Sequence, residues 1–103
     1  MIENLTLAQI NKTDSRWEID GDVTIVHAQI LLAESKSLPT AATLLVDFSK
    51  VTYVDTATIS LIFEWLRQAQ SKKCDLKFAN FPKNLLSLIA LYGVVDLIPQ
   101  VTH

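Results

Sequence analysis

The chain has 103 residues, 50% of them hydrophobic and 19% charged, and nine basic against eleven acidic side chains give a formal charge of −2. A chain of this length buries roughly 65% of its unfolded surface, enough for one core, so a single domain over residues 1–103 is expected. The composition excludes disorder and gives no basic surplus for nucleic acid, and the lone Cys74 excludes a disulfide framework or a cysteine-rich zinc site.

Two short segments open the chain. Leu5 and Leu7, with Gln9-Ile10 beyond them, alternate with polar or small residues, as do Trp17 and Ile19, so both read as half-buried strands. The polar stretch 11–15 reads as the turn between them, and Asp20-Gly21-Asp22 as the stop of the second strand. A helix is expected over Val23 to Lys36, with Val26, Ile30 and Ala33 on its core stripe, Asp22 or Thr24 as its cap and Pro39 beyond its end. Leu44 to Phe48 is a nearly continuous apolar run that reads as a central strand buried on both faces. Residues 49–55 then bridge to a second helix.

That second helix is expected over Thr56 to Ser71, with Ile59, Ile62, Phe63, Leu66 and Gln70 inward and Lys72-Lys73 at its dipole-negative end. Leu76 to Ala79 reads as a strand. Pro82 to Tyr92 reads as a third helix through Leu85, Leu86, Leu88 and Ile89, with Gly93 as the residue that ends it. Val94 to Ile98 reads as a last strand or extended tail. The order β-β-α-β-α-β-α-β implies an α/β fold, a mixed and largely parallel sheet with helices packed on it.

Chemistry-bearing residues are few. With two glycines there is no GxGxxG or GxxxxGK[ST] loop to cradle a phosphate, and no cofactor is expected. His27 has no second histidine at helical spacing, so no metal pair is expected and it reads as a packing or surface residue. Cys74 follows two lysines that favour its thiolate, but no histidine partner is apparent, so catalysis by it is not expected. Two carboxylates carry more weight. Asp47 falls near the end of the expected central strand and Asp55 just before a helix, the sheet edge where α/β proteins build sites. The structural alternative is that Asp55 caps the helix and Asp47 ties the strand end to backbone amides. The longest nearly apolar run, Leu85 to Val95, has eleven residues against the ~20 of a spanning helix. The start, MIENLTLAQI, lacks the pattern of a secretory signal, so the cytoplasm is the expected location.

The segment Leu45 to Leu66, LVDFSKVTYVDTATISLIFEWL, resembles the central motif of STAS domains, a strand followed by Asp-x-Ser, a spacer and Asp-(Ser/Thr) opening a helix. Asp47, Ser49, Asp55 and Thr56 stand at that spacing, and the whole element order agrees with it. In anti-sigma-factor antagonists of this family the second hydroxyl residue after the aspartate is phosphorylated, but that position here is Ala57. The run Asp55-Thr56-Ala57-Thr58 and the later Leu85 to Val94 are more similar to the MlaB-type branch. That resemblance implies a non-enzymatic subunit that binds the cytoplasmic ATPase of a phospholipid-transport ABC complex, supports its assembly and activity, and thereby serves outer-membrane lipid asymmetry. It implies a peripheral position at the inner membrane through the complex, without membrane insertion, and a partner contact at Thr56. The alternative is a signalling switch of the anti-sigma-factor-antagonist type. On a helical wheel Leu61 and Trp65 fall away from the expected core stripe, near Thr58, so Thr56, Thr58, Leu61 and Trp65 form the candidate partner surface. The competing reading is that Trp65 folds back over the sheet edge.

Overall fold

The computed structural model describes residues 9–13 and 15–101. It orders them as β1 (Gln9–Lys12), β2 (Arg16–Val23), α1 (Ile25–Ala33) with a 3-10 turn at Glu34–Ser37, β3 (Thr43–Val54), α2 (Thr56–Ser71), β4 (Asp75–Ala79), α3 (Lys83–Leu91) and a 3-10 turn at Val95–Leu97. The strands form one sheet in the order β1-β2-β3-β4, antiparallel between β1 and β2 and parallel elsewhere. The expected mixed α/β architecture is therefore present, and its order holds through the third helix. The expected closing strand is not: Val95–Leu97 is a 3-10 turn, and only a single parallel bridge from Gln100 to Phe78 follows. Leu5 and Leu7 lie outside the described residues.

The sheet is amphipathic by alternation. Trp17, Ile19 and Val23 of β2, Leu44, Val46 and Phe48 of β3, and Leu76 and Phe78 of β4 share one buried cluster with Leu31 of α1, Ile62 and Trp65 of α2, and Leu85 and Ile89 of α3. Residues of the other parity are mostly polar, Leu45 and Ala79 excepted. Glu18 bridges Arg16 at 3.4 Å and Lys50 at 3.6 Å there. So β3 is not apolar on both faces, as its sequence suggests; Leu45 is only half-buried and Ser49 and Lys50 are exposed.

Pairing of β2 with β3 contains two register shifts. Glu18 to Asp20 is two steps while their partners Asp47 to Lys50 are three, and Gly21 to Asp22 is one step while Val51 to Tyr53 is two. Each shift inserts one extra residue into β3, as a bulge does. Inward positions therefore pass from a period of two at Leu44, Val46 and Phe48 to a period of three at Val51 and Val54. This is why a period-two reading ends the strand at Phe48, and why residues 49–54, expected as a bridge, are strand. Asp20-Gly21-Asp22 likewise lies inside β2, with Gly21 at φ 98°, where a side chain would be strained.

The first helix is shorter than expected and turned on its axis. Ile30 is exposed, while His27, Leu31 and, past the 3-10 turn, Leu38 are buried. Thr24 occupies the cap position without a side-chain cap bond, and nothing is described of the Val26 side chain. Gly93 ends α3 at φ 69°, as expected, and Leu86 of that helix points outward.

In α2 the bounds agree with the sequence but the buried face does not. Thr58, Ile59, Leu61, Ile62, Trp65 and Ala69 are buried, Phe63 and Leu66 lie at the margin and Gln70 is exposed. Leu61 and Trp65, expected as a surface pair, are 3% and 0% exposed. The indole gives the reason. Its ring meets Trp17 edge-to-face at 6.1 Å and 84°, and its Nε1–H donates to the Leu31 carbonyl at 3.2 Å. The core thus takes in a large apolar ring whose N–H stays satisfied. Truncation to Trp65→Ala is expected to cost about 3–5 kcal/mol, and Leu61→Glu combined with Trp65→Glu to leave no folded protein at 25 °C. Urea titration followed by circular dichroism checks both; a double variant that melts like wild type would return the pair to the surface.

Candidate functional site

The C-terminal edge of the parallel strands is where α2 begins, and local chemistry fixes that beginning. Asp55 sits in extended backbone and its Oδ1 accepts the Ala57 N–H at 2.9 Å, the helix cap expected of it. Thr58 completes a capping box, its hydroxyl accepting the Asp55 N–H at 3.3 Å. With the cap in place Thr56 is the first helical residue and is exposed. Thr58, expected on the partner surface beside it, is fully buried and engaged inside the protein.

Thr56 stands between two open grooves. One, of about 870 Å³, runs between α1 and α2; Ala28, Gln29 and Leu32 form one wall, Thr56, Ala57, Ser60 and Glu64 the other, and Tyr92 and Val94 close it. The second, of about 560 Å³, lies between the end of β3 and α3, lined by Tyr53, Thr56, Asn84, Ser87, Leu88 and Leu91. Tyr53, Leu91 and Tyr92 are 53%, 78% and 55% exposed. Tyr92 thus shares the first groove with Thr56, and Tyr53 and Leu91 share the second, so both grooves carry large exposed side chains. Leu61 enters only as part of the first groove's floor. Sequence reasoning missed Tyr53, Leu91 and Tyr92. Their signal is position: Tyr53 falls between the inward Val51 and Val54, and Leu91-Tyr92 leave the Leu85/Ile89 stripe just before Gly93.

Asp47 lies elsewhere. It sits mid-strand in β3, beside the end of β4, where its register partners are Glu18 and Ala79. It is 2% exposed. Its carboxylate accepts from the Ser49 N–H at 2.8 Å, the Ser49 hydroxyl at 3.1 Å, the Asn80 side chain at 3.0 Å and the Arg16 guanidinium. Burial by itself would raise the Asp47 carboxyl, but the Asn80 and Ser49 donors and the Arg16 charge outweigh it and hold the group below the usual carboxylate range. Asp47 and Ser49 therefore tie β2, β3 and the turn after β4 together; they do not adjoin Thr56. His27 is buried with its Nδ1 at 2.9 Å from the Asp22 carbonyl. Cys74 is buried too, and burial followed by the Asp75 charge pushes its thiol up despite Lys72, against the lowering its sequence neighbours suggest. Among the described residues no three histidine, cysteine or carboxylate groups converge as a metal site, and no helix is long and apolar enough to cross a membrane.

Two outcomes follow from these bonds. Asp55→Ala is expected to lose about 0.5–2 kcal/mol by removing the cap, read from urea melts. For Asp47, the folded pKa is depressed, so its stabilisation is fully present above the unfolded value of ~3.9 and is lost as pH falls through the folded value. Asp47→Asn is expected to cost about 1.5–3 kcal/mol at pH 7, the worth of hydrogen bonds to a charged group, and to flatten the stability curve below pH ~4. Melts from pH 2 to 7 check the sign; a variant curve parallel to wild type would remove Asp47 from the acid response.

Comparison with known proteins adds a family. The family model described as "Mlab, STAS domain" matches residues 7–99. No curated protein matches the chain by sequence. Among solved structures, an anti-sigma factor antagonist from Mycobacterium paratuberculosis is similar at TM-score 0.69 and 15% identity, over 93% of this chain and 85% of that one. An anti-sigma-factor antagonist (STAS) domain protein from Planctomyces limnophilus is similar at 0.69 and 9%, over 93% and 90%. The phosphorylated form of the Bacillus cell fate determinant SpoIIAA is similar at 0.63 and 12%, over 93% and 92%. At these identities the likeness is one of fold.

Proposed function

The chain belongs to the STAS domain family, in the branch described for MlaB, and we propose that it is a non-enzymatic accessory subunit that binds the ATPase of a phospholipid-transport ABC complex. In this reading it acts in the cytoplasm, held at the inner membrane through the complex, and supports the assembly and activity of the ATPase in maintaining outer-membrane lipid asymmetry. One observation carries the reading: Thr56 is exposed at the tip of α2 while its neighbours Asp55 and Thr58 are occupied in holding the fold. A residue so placed is free to serve a partner, and Tyr53, Leu91 and Tyr92 supply the apolar area that association needs.

The rival is a phosphorylation switch of the kind used by anti-sigma-factor antagonists, and the fold likeness favours giving it a test. Against it, Ala57 has no hydroxyl to accept a phosphate. Thr56→Ala is expected to melt within about 0.5 kcal/mol of wild type, as surface changes do, yet to weaken capture of the ATPase subunit and lower its ATP hydrolysis. Leu91→Glu should behave alike. If both variants bind and stimulate as wild type does, this surface is not the contact. A phosphate on Thr56 or Ser60, found by intact mass on protein from its native host, would favour the rival.

A further inference from the structure

We propose that Thr58 is a positioning residue for the Thr56 surface, setting the spacing of the two helix starts that wall its main groove without touching a partner. The proposal rests on the reading above that this surface binds one. Thr58 has 0% exposure, and its hydroxyl makes two bonds. It accepts the Asp55 N–H at 3.3 Å, the ordinary closure of a capping box. It also donates to the Val23 carbonyl at 2.8 Å, across 35 positions of sequence. Val23 is the last residue of β2. The next residue, Thr24, has no side-chain cap bond, and its carbonyl receives the His27 and Ala28 N–H groups at 3.0 and 2.8 Å as the first turn of α1. One hydroxyl therefore joins the start of α2 to the start of α1.

The residue type fits that double duty and not capping alone. A capping box ordinarily carries Glu or Gln at this position. An ionised Glu accepts but has no proton to give, so it would leave the buried Val23 carbonyl without this donor, and Gln would need two separate atoms of a longer side chain, whereas one hydroxyl oxygen does both. The groove walls nearest this junction are Ala28 and Gln29 on α1 and Thr56 and Ser60 on α2. Their separation follows from where the two first turns are pinned, so removal of the pin changes what a partner meets although the partner never reaches Thr58.

The test compares Thr58→Val, which keeps the shape and removes the hydroxyl, with Thr58→Ser, which keeps the hydroxyl. In the free protein, amide hydrogen exchange is expected to rise on the order of tenfold in Thr58→Val, at Asp55, whose N–H this hydroxyl accepts, and also at His27 and Ala28 in α1, and to return towards wild type in Thr58→Ser. A purely local cap moves only the amides of Asp55 and the first turn of α2, and that result overturns the proposal. Should Thr58→Val fail to fold, Thr58→Ala carries the same comparison, since it also removes the hydroxyl; wild-type exchange in α1 then overturns the proposal. With the ATPase subunit, Thr58→Val is expected to weaken binding about tenfold, Thr58→Ser to restore it, and Thr58→Val to add nothing once Thr56 is alanine. A wild-type chain that fails to bind the ATPase defeats the functional reading and leaves the exchange result standing by itself. Wild-type binding undiminished in Thr58→Val defeats the positioning role.

Discussion

The pairing of β2 with β3 is the constraint from which the upper edge of the molecule follows. β3 carries two more residues than β2 over their shared length, so it is long enough to bring Val54 opposite Val23 at the strands' common end. That opposition sets Asp55 beside the junction of β2 and α1. The cap on α2, the Thr58 bond to Val23 and the exposure of Thr56 all presuppose it. Gly21 lies between the two shifts with a positive φ, a conformation that glycine adopts without strain. The same shifts leave Tyr53 outside the core, at the margin of the second groove.

Burial in this fold comes with polar satisfaction. Three polar side chains are buried among the described residues, His27, Asp47 and Thr58, and each is hydrogen-bonded across an element boundary. His27 meets the end of β2 from α1, Asp47 meets the turn beyond β4 from β3, and Thr58 meets β2 from α2. An unpaired buried group costs more than a made bond contributes, so these contacts act mainly by excluding other arrangements. Asp47 is the clearest case. Its carboxylate lies on the polar side of the sheet, under Arg16 and Asn80, away from the helices; its place in the STAS-like motif reflects strand-to-turn attachment and not contact with the Thr56 surface.

The sequence is most legible where one local rule decides. Thr56–Ser71 begins where Asp55, a strong cap, places it, and Lys72-Lys73 suit its dipole-negative end, although the chain leaves the helix through Lys73 at φ 57°; Gly93 is read correctly because α3 needs a residue at positive φ there. It is least legible where two patterns compete. In α2, apolar side chains cover more than half the circumference, from Ile59 and Leu61 through Phe63 to Leu66, so periodicity admits more than one inward face. The choice is made by Trp17 and by the Leu31 carbonyl, which are distant in sequence. In β3 the change of period at Phe48 depends on the β2 partner and leaves no mark that a single strand shows. The Thr56 motif is visible as a resemblance, but the exposed Tyr53, Leu91 and Tyr92 come from the ends of β3 and α3 and meet it only in the fold.

The same competition explains why the candidate surface is not the one helix periodicity suggests. A tryptophan and a leucine four residues apart are attractive as contact residues, yet the stability of a small sheet covered on one face depends on the largest side chain available to cover it. Once Trp65 is committed to the core, the outer stripe of α2 is left with Thr56, Ala57, Ser60 and Glu64, small or polar groups that supply little apolar area. The deficit is met from outside the helix, by the end of β3 and the end of α3. This edge therefore combines a helix start whose first hydroxyl, that of Thr56, is exposed while the flanking Asp55 and Thr58 make internal bonds, with exposed apolar side chains from neighbouring elements. A substitution at Ala57 by a residue with a hydroxyl would add an acceptor for phosphate but not disturb that arrangement, since only the Ala57 backbone N–H takes part in the cap. Position 57 then lacks only a side-chain oxygen, at a place where the helix start already favours negative charge.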